Sequence, residues 1–452
     1  MKKKILILIN SDIYVRNYIE TEVFKKIIKN FDCHFIACSN EVSNKKVLKK
    51  KLNFLFEGFI NYTQKDFIKF QKSLSKNFQL NKEKSKTISY LTKIKLKSQF
   101  YHSGDNYHEI IYKFPFRFIS WLKKNIEFAV NKICNNNNVV RNSNKDIVSI
   151  CKKIKPDLII FPFQDAHIAS FDLLQISKNV KSLGLIDNWD NLSSRATHQI
   201  KPKYISVWGE QTKQHAIKFQ KYNKNNIFIL GTPRFEKYFK KRNIKLGSYF
   251  KNKYILFLES FNNYNNVSLL KKLDELILNN KKFKGYKIVY RPHPWQKAHR
   301  ETISEKNFRN IIIDPQLKKN YQSRYFSTSF QPNIGYYSSL IKNAELVITG
   351  PTSMLIEASI FYKKILLLGH KSKSSTPHSE ELENFEHLQG IKKLSNIKIL
   401  REESKFINNL LDIHKIKIDK SKIDKIRNFY LDYSGKKYSD MLFDITKKIL
   451  HE

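Results

Sequence analysis

The sequence predicts an α/β protein with two doubly wound parallel sheets that face each other across a cleft. Short apolar runs alternate with amphipathic stretches in both halves of the chain, a rhythm typical of parallel sheets with helices on both faces. At 452 residues the chain is too long for one ordinary hydrophobic core, so we expect two domains. Polar residues follow several apolar runs directly, where open sheets of this kind bind ligands.

The first domain is predicted to span residues 1–240. Its first strand is the apolar run Ile5–Ile9, which ends in the polar loop Asn10–Asp12. An amphipathic helix over Asn17–Ile28 and a second strand over Asp32–Ala37 complete the opening β-α-β pattern. Further strands are predicted over Asp157–Phe161, Ser182–Ile186, Tyr204–Trp208 and Ile227–Leu230.

A basic, aromatic segment over about residues 47–145 interrupts this alternation. Its period is helical, which predicts a helical insert in the first domain. The part Ile111–Ile133 mixes aromatic residues with Lys and Arg. That mixture could lie in the headgroup region of a membrane, or the segment could be a helical hairpin that packs on the first domain.

The second domain is predicted to span residues 248–422, after a polar linker over Lys237–Gly247. A helical segment, Ile423–Leu450, follows it, and we expect residues 423–452 to pack back on the first domain. The strands of the second sheet are predicted over Tyr254–Leu258, Lys287–Tyr290, Ile311–Ile313, Leu346–Thr349 and Ile365–Leu368.

The composition limits which binding partners and which cellular compartment are expected. The net charge of +43 favours a polyanionic partner, such as an anionic membrane or a phosphate-bearing substrate, although codon bias in an A+T-rich genome would produce the same excess of lysine. Nucleic acid is not expected, because no nucleic-acid-binding signature accompanies the charge.

The four cysteines lack metal-ligand and disulfide spacing. No uncharged run approaches the roughly 20 residues needed to span a bilayer, and no export signal is recognisable. A cytoplasmic protein is therefore expected.

Two motifs in the second half follow predicted strands. They are Tyr290–Trp295, which reads YRPHPW, and Ile348–Ser353, which reads ITGPTS. The second opens a helix, so Thr352 and Ser353 would offer hydroxyl and backbone donors to a phosphate group. Gly350 would let the chain approach the ligand closely.

These motifs belong to an ordered set that resembles a known family. The set also includes Asp187–Ser194, Val207–Gln211 and Leu230–Phe235. The same order occurs in bacterial surface-polysaccharide transferases of the GT-B fold, which have two Rossmann-like domains. The motifs are also similar to those of CDP-glycerol glycerophosphotransferases and, more faintly, of bacterial sialyltransferases.

The resemblance implies roles for the residues of the second domain. It implies that His293 contacts the donor phosphate and that Glu357, one helical turn after Ser353, binds the ribose hydroxyls. Arg291 could add a bidentate clamp. Arg234 could touch phosphate or form a salt bridge between the domains. The glycerophosphotransferases carry an acidic residue where this chain has Gly350, which weakens the case for CDP-glycerol as donor.

The catalytic base is expected from the first domain. Asp190 is the first candidate, because it follows Trp189 where the glycerophosphotransferases have a Trp-His pair whose His acts as base. Asp187 lies on the same loop, and His293 would stabilise the leaving group. Three other residues follow predicted strands and are further candidates for the base: Asp12, Asp165 and His167.

The resemblance therefore predicts a glycosyltransferase that moves a sugar from a nucleotide-activated donor to a surface polysaccharide or a lipid-linked glycan acceptor. One alternative is a glycerophosphotransferase with a CDP-linked polyol donor, and a more distant one is a sugar-nucleotide epimerase. Neither a metal ion nor another cofactor is expected, since the sequence shows no metal-ligand spacing. A peripheral contact with the inner face of the cytoplasmic membrane would bring the enzyme to a lipid-linked acceptor.

Overall fold

The computed structural model of the chain contains two parallel β-sheets, each covered by helices on both faces. It describes residues 2–43, 45–70, 85–91, 144–163, 167–195, 200–260, 266–293, 302–322, 331–371 and 378–452. The predicted α/β fold with two doubly wound domains is confirmed. Most of the predicted insert over residues 47–145, including Ile111–Ile133, lies outside the described residues, as does the candidate base Asp165.

The first sheet has seven strands in the order β3-β2-β1-β4-β5-β6-β7, all paired in parallel. The strands are β1 (Lys4–Ile9), β2 (Asp32–Cys38), β3 (Phe56–Ile60), β4 (Leu158–Phe163), β5 (Lys181–Ile186), β6 (Tyr204–Val207) and β7 (Ile227–Ile229). The strand order reverses between β1 and β4. Ligands of such sheets bind at the carboxyl ends of the strands beside this reversal.

The second sheet has six strands in the order β10-β9-β8-β11-β12-β13, again all parallel. Its strands are β8 (Tyr254–Leu258), β9 (Lys287–Arg291), β10 (Ile311–Ile313), β11 (Leu346–Thr349), β12 (Ile365–Leu368) and β13 (Ile397–Leu400). The order reverses between β8 and β11. Strand β13 was not among the predicted strands, because Lys398 interrupts its apolar run.

Helices connect the strands in both halves. In the first half they are α1 (Asp12–Tyr14), a π-helix (Val15–Ile19), α2 (Lys25–Asn30), α3 (Lys45–Leu52), α4 (Lys145–Ile154), α5 (Ile168–Ile176), α6 (Asn191–Ser194), α7 (Glu210–Lys218) and α8 (Glu236–Arg242). In the second they are α9 (Val267–Asn279), α10 (Pro315–Gln322), α11 (Ile334–Asn343), α12 (Met354–Ile360), α13 (His378–Asn384), α14 (Phe406–Ile413), α15 (Lys420–Tyr430) and α16 (Tyr438–His451). Short 3-10 turns cover Asn53–Leu55, Lys224–Asn226, Pro233–Phe235, Lys281–Phe283, Glu386–Leu388, Ile391–Lys393 and Glu403–Lys405.

Three segments differ from the predicted elements. The helix predicted over Asn17–Ile28 is broken, because Glu22 adopts the left-handed conformation with φ of 57° between the π-helix and α2. Strand β3 falls inside the predicted insert and forms the edge of the first sheet, so the insert cannot begin at residue 47. The predicted linker over Lys237–Gly247 contains most of helix α8, whose Tyr238 and Phe239 are buried.

The apolar faces of α8 and the C-terminal helices join the two domains. Tyr238 of α8 and Tyr430 of α15 belong to one hydrophobic cluster with Trp208 of the first domain and Leu355 of the second. The helix predicted over Ile423–Leu450 is two helices, and α16 packs against α2. Together these contacts hold the carboxyl edges of the sheets toward each other. Among the described residues, no helix combines the length and the apolar character that crossing a membrane would require.

Candidate functional site

A cavity of about 290 Å³ lies between the domains, at the carboxyl ends of strands from both sheets. The first half of the chain contributes the segments after β1, β5 and β7 to the cavity walls. The second half contributes the segments after β8, β9 and β11. The cavity therefore spans both points at which the strand order reverses, where a doubly wound sheet places its ligand. The predicted site residues that line it are Asp187, Arg234, Arg291, His293, Thr352, Ser353 and Glu357.

The segment after β11 presents two hydroxyl groups to the cavity. Thr352 Oγ1 accepts a hydrogen bond of 3.3 Å from the backbone N–H of Met354, so Thr352 caps the start of α12. Ser353 makes no capping hydrogen bond and lines the cavity. Helix α12 has only 7 residues, so its dipole adds little and the side chains carry most of the polar character here.

Gly350 has a different role from the predicted one. It is not among the residues that line the cavity. A Cβ atom at this position would lie 2.5 Å from His378 Cε1 and 2.8 Å from Ser260 Oγ. His378 and Ser260 are buried and hydrogen-bonded to each other at 2.8 Å. The glycine is therefore required by the imidazole packed behind the loop, and its φ angle is not in the left-handed region.

His293 lies where β9 ends and faces the cavity together with Ser353. Its backbone N–H donates a hydrogen bond of 2.9 Å to Glu259 Oε2. Burial, and secondly the charge of Arg291, lower the pKa of His293 to about 4. The imidazole is therefore neutral at pH 7. A diphosphate placed beside it would favour the imidazolium form and raise the pKa again.

Arg291 forms part of the cavity wall, and both of its terminal nitrogens contact protein groups. One terminal nitrogen pairs with Asp314, and the other donates to Gln316 Oε1 at 3.1 Å. The guanidinium carbon lies 3.6 Å from the ring centroid of Tyr337. Both terminal nitrogens of the guanidinium thus hold a protein group with one of their two N–H groups. The predicted bidentate clamp on a phosphate stays a prediction.

Glu357 lines the cavity as a buried side chain and contacts α8 and the turn that precedes it. Its Oε2 accepts a hydrogen bond of 2.8 Å from the hydroxyl of Tyr238, and its Oε1 lies 3.7 Å from Arg234 Nη2. Burial raises the pKa of Glu357, against the opposing charge of Arg234. The salt-bridge alternative for Arg234 is thus present. Binding of a ribose to Glu357 remains a proposal.

Arg16 was missed by the sequence analysis although it lines the same cavity. It lies on the π-helix after β1, and its Nε donates to Asn17 Oδ1 at 3.0 Å. Asn17 Nδ2 donates in turn to Asp187 Oδ1 at 2.9 Å, so the three side chains form one chain of contacts. Burial, and secondly the charge of Arg234, lower the pKa of Arg16. Its position shortly after the first strand is the feature of the sequence from which a role in ligand binding could have been predicted.

Glu259 is a second cavity residue that the sequence analysis missed. It directly follows β8 at the reversal of the second sheet and is buried. It directly follows the predicted strand Tyr254–Leu258. Polar residues at the end of a parallel strand lie at the ligand-binding edge of the sheet, so the sequence could have identified it, as it did His293. With Asp187 from the first domain, it places carboxylates on both walls of the cavity.

The candidates for the catalytic base separate clearly. Asp187 lines the cavity and Asp190 does not. Asp190 instead accepts a hydrogen bond of 2.9 Å from Ser194 Oγ within the short helix α6. Neither Asp12 nor His167 lines the cavity. Asp12 accepts from the backbone N–H of Ser43, and His167 pairs with Glu41 at 3.1 Å.

No protein-family model matches this chain, and no curated protein matches it. Solved structures do match it over its whole length. S. aureus MnaA, in its structure with UDP, is 11% identical over 99% of this chain and 97% of that chain, with a TM-score of 0.51. The fold is GT-B. A UDP-GlcNAc 2-epimerase from Neisseria meningitidis bound to UDP-GlcNAc is 11% identical over 98% of this chain and 100% of that chain, with a TM-score of 0.51. At this identity the likeness concerns the fold alone.

Proposed function

We propose that the chain is a glycosyltransferase that binds a nucleotide-diphosphate sugar in the cavity and transfers the sugar to a glycan or lipid-linked acceptor. The observation that carries the proposal is the convergence of Arg16, Arg234 and His293 on one cavity that also holds the hydroxyl of Ser353. Cationic groups and hydroxyl donors around a cleft between two lobes suit a diphosphate.

The unsatisfied donors of Arg234 favour an anionic ligand. Among the residues that the structure describes, Arg234 has one ion-pair partner, Glu357, whose nearest oxygen is 3.7 Å away, beyond hydrogen-bonding distance. Its Nε and Nη2 are buried and have no hydrogen-bond partner among the described residues. Buried donors of this kind are costly until a ligand satisfies them. A diphosphate would supply both the acceptor oxygens and the negative charge.

The transfer step uses residues from both walls. Asp187 would accept the proton of the acceptor hydroxyl while that oxygen forms a bond to the anomeric carbon of the sugar. The bond between the anomeric carbon and the diphosphate oxygen breaks, and its electron pair leaves with the nucleoside diphosphate. His293 as imidazolium, Arg234 and Arg16 would stabilise that developing charge. Neither a metal ion nor another cofactor is part of this proposal.

The test is a product assay on a panel of UDP-, GDP-, CDP- and dTDP-sugars and CDP-glycerol, with extracted bacterial lipids as acceptor source. We expect release of the nucleotide from one donor, faster with acceptor than without, and at least a hundredfold slower in His293→Ala. Tyr249→Phe, a conservative change at an exposed position outside the cavity, is the matched control and should retain full activity. Equal release by His293→Ala and the unchanged chain would contradict the proposal.

The same assay separates the polyol-phosphate alternative. A transferase that moves glycerol phosphate from CDP-glycerol releases CMP. In that reaction the bond between the bridging oxygen of the diphosphate and the phosphorus of the glycerol phosphate breaks. A glycosyltransferase with a diphosphate donor releases the nucleoside diphosphate. Chromatography of the released nucleotide therefore distinguishes the two reactions.

One observation favours an epimerase as a second candidate. Asp187 and Glu259 place carboxylates on opposite walls of the cavity. Paired acid and base groups are what proton removal and return at a sugar carbon would require. Such an enzyme needs no acceptor, and in D₂O it would incorporate deuterium into UDP-GlcNAc. Mass spectrometry of UDP-GlcNAc after incubation with the protein alone would detect this exchange.

A further inference from the structure

Helix α3 presents a strongly basic face at the outer edge of the first domain. Its sequence is KKVLKKKL, and Leu48 and Leu52, one turn apart, are buried against the domain. Its lysines are exposed: Lys45, Lys46, Lys49, Lys50 and Lys51. The apolar stripe thus anchors the helix, and the positive charges project to solvent.

An exposed aromatic side chain follows directly on the next turn. Phe54 is 85% exposed, the largest exposed fraction among the large apolar side chains that the structure describes. Asn53 adopts the left-handed conformation with φ of 48° where α3 ends, which redirects the chain before Phe54. A phenyl ring in water is unfavourable, so a ring held out beside five lysines indicates a surface that something covers.

We propose that α3 and Phe54 dock on the surface of a lipid bilayer that contains anionic lipids. Lysines near such a surface each strengthen binding by about fivefold at moderate salt. A phenyl ring placed at the headgroup boundary adds an apolar contribution that is insensitive to salt. The combination of a basic helical face and one protruding ring therefore matches a membrane surface in both charge and polarity. We name these residues the basic patch: Lys45, Lys46, Lys49, Lys50, Lys51 and Phe54.

Nucleic acid fits the basic patch less well. Proteins that bind single strands use several aromatic rings on which successive bases stack. Here the nearby Phe59 is partly buried, and Lys45 Nζ and Lys49 Nζ lie 5.4 Å and 5.6 Å from its ring centroid. Phe54 is therefore the one ring of this turn and strand that projects fully from the surface.

The basic patch leaves the cavity accessible. None of its residues lines the cavity, and β3, which follows it, is the outermost strand of the first sheet. The loop before α3 is held to the segment after β1, because both carboxylate oxygens of Asp12 accept from the backbone N–H of Ser43 at 3.0 and 3.1 Å. That segment carries Ile13 and Arg16 of the cavity wall. Docking would thus hold the acceptor side of the cleft at a fixed position relative to the bilayer.

The test is sedimentation of the full chain with vesicles of phosphatidylcholine, with and without 30% phosphatidylglycerol, at about 0.1 M salt. The unchanged protein should bind only the anionic vesicles. The triple variant Lys46→Glu, Lys50→Glu, Lys51→Glu should bind at least tenfold more weakly, and Phe54→Ser at least threefold more weakly. None of these four residues has a packing role that the substitution would remove.

Helix α15 and the loop before it offer matched controls. The triple variant Lys417→Glu, Lys422→Glu, Lys425→Glu changes the net charge by the same amount at exposed positions. Phe429→Ser removes a ring that is only 37% exposed. These controls should bind anionic vesicles as the unchanged chain does. If the test and control variants weaken vesicle binding equally, the protein binds through its net charge and not through the basic patch. That result would overturn the proposal.

Two other outcomes would also overturn it. One is the absence of sedimentation with anionic vesicles. The other is binding to a single-stranded oligonucleotide tighter than to vesicles, with Phe54→Ser affecting only the former. Nucleotide binding by Phe54→Ser, measured in solution, reports on the cavity separately, so failure of the docking proposal and failure of the proposed function are distinguishable.

Discussion

Arg234 Nη2 lies 3.7 Å from Glu357 Oε1, close enough for an ion pair and too far for a hydrogen bond. The other carboxylate oxygen of Glu357 is hydrogen-bonded to Tyr238, so the pair is fixed from one side and open toward the cavity. Arg234 also stacks near the rings of Trp208 and Phe235, at 5.0 and 4.4 Å from their centroids. The guanidinium is therefore positioned before any ligand binds.

This position predicts the effect of a conservative change at Arg234. Arg234→Lys should weaken binding of a nucleoside diphosphate by about tenfold, because an ammonium group cannot supply the parallel donors of the guanidinium fork. Binding of the nucleoside alone should change little. Isothermal titration with the diphosphate and with the nucleoside measures both. Arg309→Lys, outside the cavity, is the control, and an equal loss there would contradict the assignment.

The imidazole of His293 should make nucleotide binding depend on pH. Its pKa is lowered to about 4, mainly by burial, so the imidazole is neutral at pH 7. A bound diphosphate raises that pKa, so binding takes up a proton and the affinity should increase as the pH falls from 7 toward 5.5. Titration in two buffers with different ionisation enthalpies counts the proton. His293→Gln should abolish the uptake.

Gly350 offers a test of the packing behind the cavity. A methyl group there would meet the buried His378 and Ser260, so Gly350→Ala should lower the free energy of unfolding by about 1–3 kcal/mol. Gly247→Ala is the matched control, since a Cβ there meets no described atom within 4 Å. Urea denaturation measures both variants. Equal stability of the two would show that the loop has room for a side chain.

Acid should destabilise the protein through its buried histidines. Burial lowers the pKa of His215 and His378 to about 3, and that of His293 and His387 to about 4, against 6.5 for the ordinary side chain. Between pH 6 and 4 the unfolded chain binds protons that the folded chain does not, so stability decreases as the pH falls. Each such group contributes up to about 1.4 kcal/mol per pH unit.

Thermal melting from pH 7 to 5 measures this dependence. His387→Gln should make the decline of stability with falling pH less steep by the contribution of one histidine. The unfolded chain of this variant binds one proton fewer, so the proton uptake on unfolding is smaller. A variant at the exposed C-terminal His451, His451→Gln, should leave the slope unchanged. A melting temperature that stays constant over this range would contradict the pKa directions.

Substitution of the two aspartates on the loop after β5 separates the candidates for the base. Asp187→Asn should slow acceptor-dependent release of nucleotide by 10²–10⁴-fold, the usual contribution of a general base. Asp190→Asn should retain most of the activity, since Asp190 lies outside the cavity and bonds to Ser194. The reverse result would restore Asp190 as the base and would require the loop to rearrange when substrates bind.

Much of the fold was predictable from the sequence, because buried parallel strands are continuous apolar runs that end in polar residues. His293, Thr352 and Ser353 were found in this way, and they do meet in the cavity. Arg16 was not found, since its importance depends on a π-helix that turns it toward Arg234, and no local pattern predicts that contact. The family resemblance favours Asp190 over Asp187, whereas the course of the chain after β5 places Asp187 at the cavity.

The role of Gly350 shows a second limit of the sequence. A glycine before a Pro-Thr-Ser stretch favours close approach of a ligand, yet the atoms that fill its space belong to Ser260 and His378, which are distant in the chain. The linker prediction failed similarly. Helix α8 reads as polar and basic, but Tyr238 and Phe239 pack into the second domain through contacts that only the tertiary structure provides.

The most direct test of the proposed nucleotide site is isothermal titration of the protein with UDP, CDP, GDP, ADP and dTDP. At least one of these nucleoside diphosphates should bind. His293→Ala and Ser353→Ala should each weaken that binding at least tenfold and keep the melting temperature of the unchanged chain. If no nucleoside diphosphate binds, or if both variants bind as tightly as the unchanged chain, the cavity is not a nucleotide-diphosphate site.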